Sequence, residues 1–201
     1  MTPEPGPPDR SALERAAADL VRALRLDPAT DPELLGTPAR VAEFYREAFA
    51  ALAEPHEPEL ETFPHRGGDD VVVVRGLEFH SMCAHHFAPF FGRALIAYLP
   101  GDRLLGVSGA ARLLEYHARR PQLQERLGQD LASHLERVLA PRGVAVALEA
   151  RHLCMEMRGV RRRALIETRV TRGGLADARY APLLCFNPER APDSAAEDGG
   201  R

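Results

Sequence analysis

Leu123, Leu127, Leu131, Leu135 and Val138 keep the three-to-four-residue spacing of a helix, here opening at Pro121. Val41, Phe44, Tyr45 and Phe49 share one face of an earlier helix. Thr37 is its expected N-cap, Pro38 its first helical residue, and Glu54 lies near its end. Ser11-Ala12-Leu13-Glu14 has the form of a capping box and predicts a first helix through about Leu26. Ser108 predicts another N-terminus, for a helix through Arg119. The remaining apolar runs have strand length. Val71 to Val74 begins one, Phe87 to Leu99 forms a second broken at Gly92, Val144 to Leu148 a third, and Arg163 to Thr171 the last.

From residue 70 to 172 the order is strand, strand, helix, helix, strand, strand, which predicts an α+β domain. Residues 1–10 and 188–201 are rich in Pro, Asp and Gly and read as disordered tails. Residues 11–68 read as a helical extension ending in a Pro- and Glu-rich linker or loop, and 69–187 as the main domain. With 201 residues, 45% of them apolar, one core of ordinary size is affordable. The net charge of −3 gives no basic field for nucleic acid or a membrane surface. All 26 basic residues are Arg, so Schiff-base and lysine-nucleophile chemistry is excluded. The N-terminus lacks the apolar segment of a signal peptide, and no run reaches the roughly 20 residues that span a bilayer. A cytoplasmic, reducing location is expected, and three Cys make no disulfide framework.

Two of those Cys sit in short segments that also hold histidine: Cys83-Ala84-His85-His86 and His152-Leu153-Cys154. Thiolate and neutral imidazole are the ligands zinc prefers, and three protein ligands leave a fourth position open for chemistry. Cys83, His86 and Cys154 are the candidate ligands, which leaves His85 and His152 beside the metal as acid/base groups. Two buried core thiols, or a disulfide, would account for the same cysteines. No Cys-x-x-Cys pair is present, which argues against a closed structural finger.

Longer motifs surround these segments. Ser81-Met82-Cys83-Ala84-His85-His86, Tyr98-Leu99-Pro100, Gly106-Val107-Ser108, Arg120 to Leu127 and His152 to Val160 resemble the GTP cyclohydrolase I family over about residues 35 to 175. The resemblance implies the tunnelling fold: a four-stranded antiparallel sheet with two helices between the strand pairs, here preceded by N-terminal helices. It implies subunits in rings, usually a homodecamer, with sites between subunits. It implies opening of the guanine ring of GTP at C8, loss of formate and closure to dihydroneopterin triphosphate, for folate or a related pterin. Carried over residue by residue, Cys83, His86 and Cys154 would hold Zn²⁺, and His85 and His152 would move protons. Glu125 would accept from guanine N–H groups with Gln124 beside it, and Ser108, Arg112, Arg158 and Arg40 would hold the triphosphate.

The chain departs from the family pattern at several points. Ala84 stands where the family usually has Glu, Gly109 where it has Lys after Ser, and Glu43 where a phosphate-binding Lys is common. The last strand lacks the family's Ser and Thr run, while Arg161, Arg162 and Arg163 add charge before it. Two lost charge-assisted contacts at roughly 1.5–3 kcal/mol each amount to about 10²–10⁴ in affinity. That leaves two alternatives to an ordinary GTP cyclohydrolase I. One is a divergent paralogue acting on another purine nucleotide. The other is an inactive binding or regulatory member, against which the retained His85 and His152 argue.

Overall fold

The computed structural model describes residues 6–27, 30–54 and 56–186. The expected tails lie largely outside these residues. Helix α1 (Arg10–Ala23) is capped by Asp9, whose carboxylate accepts from the Ala12 amide at 3.1 Å, so the capping-box Ser11 lies inside the helix. It stops before Leu26 because Arg25 turns left-handed, with φ 59°. Helix α2 (Thr37–Ala48) has Gly36 at the N-cap position, and Thr37 is its first helical residue. It ends six residues short of Glu54 and runs on as a single 3-10 turn over Ala50–Leu52. The two helices pack through Ala17, Val21 and Ala42.

The stretch expected to be linker or loop holds a strand. β1 (Thr62–Pro64) pairs with the later β4 (Arg103–Leu105), and nearby Leu60 packs on the main core. Three residues ending in Pro carry no period-2 signal, which is why the sequence hides it.

The main sheet has five strands. β2 (Val72–Cys83), β3 (Pro89–Leu99), β6 (Gly143–His152) and β7 (Ile166–Gly173) run antiparallel in that order. Two helices, α3 (Gly109–Ala118) and α4 (Gln124–Leu139), lie between the strand pairs in sequence, as expected. The fifth strand, β5 (Pro121–Gln122), runs parallel to the end of β2, with Met82 opposite Pro121 and Cys83 opposite Gln122. Pro121 therefore does not start α4. The buried Gln122 is tied to the His117 carbonyl and Asp130, and the helix opens only at Gln124. Nor is β3 broken at Gly92. That glycine pairs with both Phe79 and Ala150, and a Cβ there would lie 1.8 Å from the Glu149 carbonyl oxygen. The strand needs glycine so that two backbones can close up. β7 begins at Ile166, leaving Arg163 to Leu165 outside it.

Alternation along the strands divides the sheet into two faces. Phe90, Ile96, Tyr98, Val146 and Leu148 pack under Leu113, Leu127, Leu131 and Leu135 of α3 and α4. Leu95, Ala97, Leu99, Ala145 and Ala147 face the other way, onto Leu175 and Leu184 of the 3-10 turns after β7. Among the described residues no helix is long and apolar enough to cross a membrane.

Candidate metal centre

Cys83 is the last residue of β2 and opens the turn into β3. Its N–H donates to the Ala88 carbonyl at 2.9 Å, and its own carbonyl accepts from His86 at 3.3 Å and Phe87 at 2.8 Å. This tight reversal brings His86 Nδ1 to 3.8 Å from Cys83 Sγ. Cys154 arrives from the far end of the chain. β6 pairs with β3 so that His152 lies opposite Phe90, and the short helix α5 (Leu153–Glu156) then turns Cys154 toward the β2–β3 turn. Arg151 braces α5 through a two-pronged bond to Glu156, at 2.9 and 2.5 Å.

The ligand atoms of Cys83, His86 and Cys154 all lie within 4.8 Å of one another, the one such group among the described residues. Cys83 and Cys154 are free thiols, which removes the disulfide alternative. Two sulfurs and one imidazole suit zinc, which takes such ligands in a tetrahedral arrangement. Burial and the neighbouring Cys83 push the Cys154 thiol up, as expected for two thiols sharing a space that a cation would suit. Arg158 donates to Nε2 of His86. Neutral imidazole has one lone pair, so His86 cannot accept from Arg158 and ligate through Nδ1 at once. A metal held through Nδ1 would leave Arg158 free of His86.

His152 stands beside this group. Its ring stacks on Phe90, with centroids 4.8 Å apart and planes 6° from parallel. Its Nε2–H donates to the Gln124 side-chain carbonyl at 2.8 Å. Burial lowers its pKa, while Glu125 and Glu156 act in the opposite direction. A neutral ring held this way keeps Nδ1 as the basic atom. Gln124 is 1% exposed, and its amide nitrogen is spent on the Leu148 and Ile166 carbonyls and the Thr168 hydroxyl. His85 is exposed on the turn, its ring edge-on to His86 at 6.2 Å. Glu125 is exposed on the first turn of α4.

The remaining candidates are not drawn in. Ser108 and Arg112 are exposed at the start of α3, and Ser108 makes no side-chain cap. Arg40 folds back on α2, donating to the Glu33 carbonyl at 3.0 Å and to Thr37 Oγ1 at 3.5 Å. No hydrogen bond joins these three to the metal group among the described residues. Glu43 is engaged by Arg46 at 2.8 Å and lies 4.0 Å from Arg10, so its charge is met locally. The Phe90 ring beneath His152 escapes sequence reasoning, because its role depends on the β3–β6 register.

Comparison with known proteins places the sequence among relatives of one name. The family model described as GTP cyclohydrolase I matches residues 13–182. A protein named GTP cyclohydrolase 1 from Streptococcus thermophilus (strain CNRZ 1066) is 45% identical over 155 residues, covering 77% of this chain and 82% of its own. Its namesake from Bacillus pumilus is 40% identical over 182 residues, covering 89% and 96%. Another from Brucella anthropi is 45% identical over 162 residues, covering 78% and 74%.

Proposed function

This chain belongs to the GTP cyclohydrolase I family, and from that premise we propose a zinc-dependent enzyme converting GTP and water to 7,8-dihydroneopterin triphosphate and formate. The observation that carries the reading is the convergence of Cys83, His86 and Cys154 next to a His152 locked by Gln124. A zinc ion held by the three ligands supplies Lewis acidity and a nucleophile usable at neutral pH.

The chain's own groups do the rest. Glu125, exposed on the first turn of α4, accepts the two N–H donors on one edge of guanine. His152 takes a proton at Nδ1 while Gln124 holds the opposite side of its ring. His85, on the same turn as His86, is the second proton carrier. Arg158 takes a substrate phosphate once His86 has released it.

Ser108, Arg112 and Arg40 belong to the phosphate end of a site completed by a neighbouring subunit, since within one chain they stand apart from the metal group. The stretch of β2 before its two-residue pairing with β5 and the outer edge of β7 support closure into a ring, because among the described residues no strand pairs with either and a second copy could cover both. We take the assembly to be a homodecamer acting in the cytoplasm on the pterin or folate route.

The test is incubation of zinc-loaded protein with GTP, GDP, GMP and guanosine, following formate release and pterin fluorescence. GTP is expected to give both products at the highest kcat/KM. Efficient turnover of a lower nucleotide with none of GTP assigns the chain to another purine, and no formate from any of them refutes the hydrolase.

A further inference from the structure

Phe87 occupies a conformation that bulky side chains avoid. Its φ is 47°, in the left-handed region where residues with a Cβ are strained and glycine is the usual occupant. It lies one residue after His86, in the turn that Cys83 opens. The Phe87 N–H donates to the Cys83 carbonyl at 2.8 Å, and the left-handed step at Phe87 then redirects the chain so that the Ala88 carbonyl meets the Cys83 N–H at 2.9 Å, closing the turn that sets His86 near Cys83.

Glycine would make this turn without strain, so the ring must do something glycine cannot. It meets Phe49 edge-on with centroids 5.2 Å apart, and Tyr45 at 6.4 Å. Phe49 is buried, and it stacks on Tyr45 at 5.8 Å and 16°. Both partners belong to α2 or its C-cap. The Phe87 ring itself stays 48% exposed, so ordinary core burial is a poor explanation for tolerating the strain. The contact joins the ligand-bearing turn to a helix that lies outside the sheet and its two covering helices.

We propose that Phe87 is a positioning residue of the metal centre: its ring, seated against Phe49 and Tyr45, holds the Cys83–Ala88 turn in the shape that aims Cys83 and His86 at one point. The proposal rests on the metal reading of Cys83, His86 and Cys154.

The test uses the full chain and three variants. Phe87→Gly adopts the left-handed conformation freely but has no ring. Phe49→Ala removes the partner on the α2 side and leaves the turn's sequence alone. Phe87→Tyr keeps the ring. Zinc affinity is read by chelator competition, and ligand geometry by the thiolate-to-cobalt charge-transfer and ligand-field bands of the cobalt(II) form. Phe87→Gly and Phe49→Ala are each expected to bind zinc about 10- to 100-fold more weakly, with altered cobalt bands, the scale typical of lost supporting contacts around metal ligands. Phe87→Tyr should match the wild type in both. A folded Phe87→Gly with wild-type zinc affinity and cobalt bands overturns the proposal. If thermal melting shows that variant unfolded, Phe49→Ala decides by the same criterion. Wild-type protein that binds no zinc refutes the metal reading itself, which is a distinguishable failure.

Discussion

His152 and Gln124 form a hydrogen bond of 2.8 Å in which the imidazole Nε2–H must be the donor, because the amide nitrogen of Gln124 already faces three acceptors. Sequence resemblance put Gln124 in the substrate pocket. We propose that, at 1% exposure and with its polar atoms spent inside the protein, it acts on the histidine.

Replacing Gln124 with Met keeps the volume and removes both the acceptor for His152 and the donor to the Leu148 and Ile166 carbonyls, so some loss of Tm is expected beside the kinetic effect. The expected result is a fall of about 10²-fold in kcat, the lower range of a general acid/base contribution, with KM for GTP within about threefold. Zinc content should stay at one equivalent. Steady-state kinetics decides: a large rise in KM with kcat intact would return Gln124 to direct substrate contact.

Metal content offers a second check. About one zinc per chain is expected, falling sharply in Cys154→Ala, because two remaining ligands make a poor site. Cys185→Ser should leave zinc unchanged. That thiol is exposed and bonds to the Ala181 carbonyl at 3.3 Å, outside the ligand group. Full activity after exhaustive chelation would contradict the centre.

How far the sequence reveals this site depends on the kind of information each residue carries. Cys83, His86 and Cys154 are legible because ligand chemistry is written in residue type, and the strands preceding each segment are strongly apolar. The two-strand, two-helix, two-strand order is legible for the same reason. Pro121 misleads, since proline fits a helix start and an edge strand equally well, and the choice is made by Gln122 reaching His117 and Asp130. Gly92 misleads because a strand-breaking glycine and one that permits close approach look alike until the Glu149 carbonyl is in view. The support given by Phe90 and Phe87 is set by register and by one backbone angle, which no spacing encodes.

A buried pair outside the site sets a pH limit on stability. His117 Nε2 lies 3.1 Å from His134 Nδ1, and both residues are at most 8% exposed. Burial, then the neighbouring His134, lowers His117 to about 4. Burial lowers His134 as well, against the pull of Glu57. The unfolded chain, with histidine near 6.5, takes up protons first as pH falls. Stability is therefore full above about pH 6.5 and declines toward about pH 4, by at most about 3 kcal/mol from His117. Thermal melts of wild type and His117→Phe from about pH 7.5 to about pH 5 test this: the variant should show the flatter dependence. Equal slopes would place the acid sensitivity elsewhere.

Phosphate recognition at position 109 is constrained by the packing around Leu105. The direct way to restore the cation that the family carries after Ser108 is Gly109→Lys. But a Cβ on Gly109 would lie 2.6 Å from Cδ1 and 2.7 Å from Cγ of Leu105, so the leucine has to shift first. Position 109 also opens α3, where a positive charge opposes the helix dipole by about 0.3–1 kcal/mol. Glu43→Lys is a poor companion, because it would strip Arg46 and Arg10 of their shared carboxylate and gather three cations on one surface. The informative comparison is Gly109→Lys in a Leu105→Ala background. It should lower KM for GTP relative to Leu105→Ala alone, with a steeper dependence on salt, while KM for guanosine stays level. Gly109→Lys by itself should chiefly lower Tm. If the background pair leaves KM for GTP unmoved, the triphosphate is already gripped elsewhere, and replacing Arg161, Arg162 and Arg163 with Gln should then raise it.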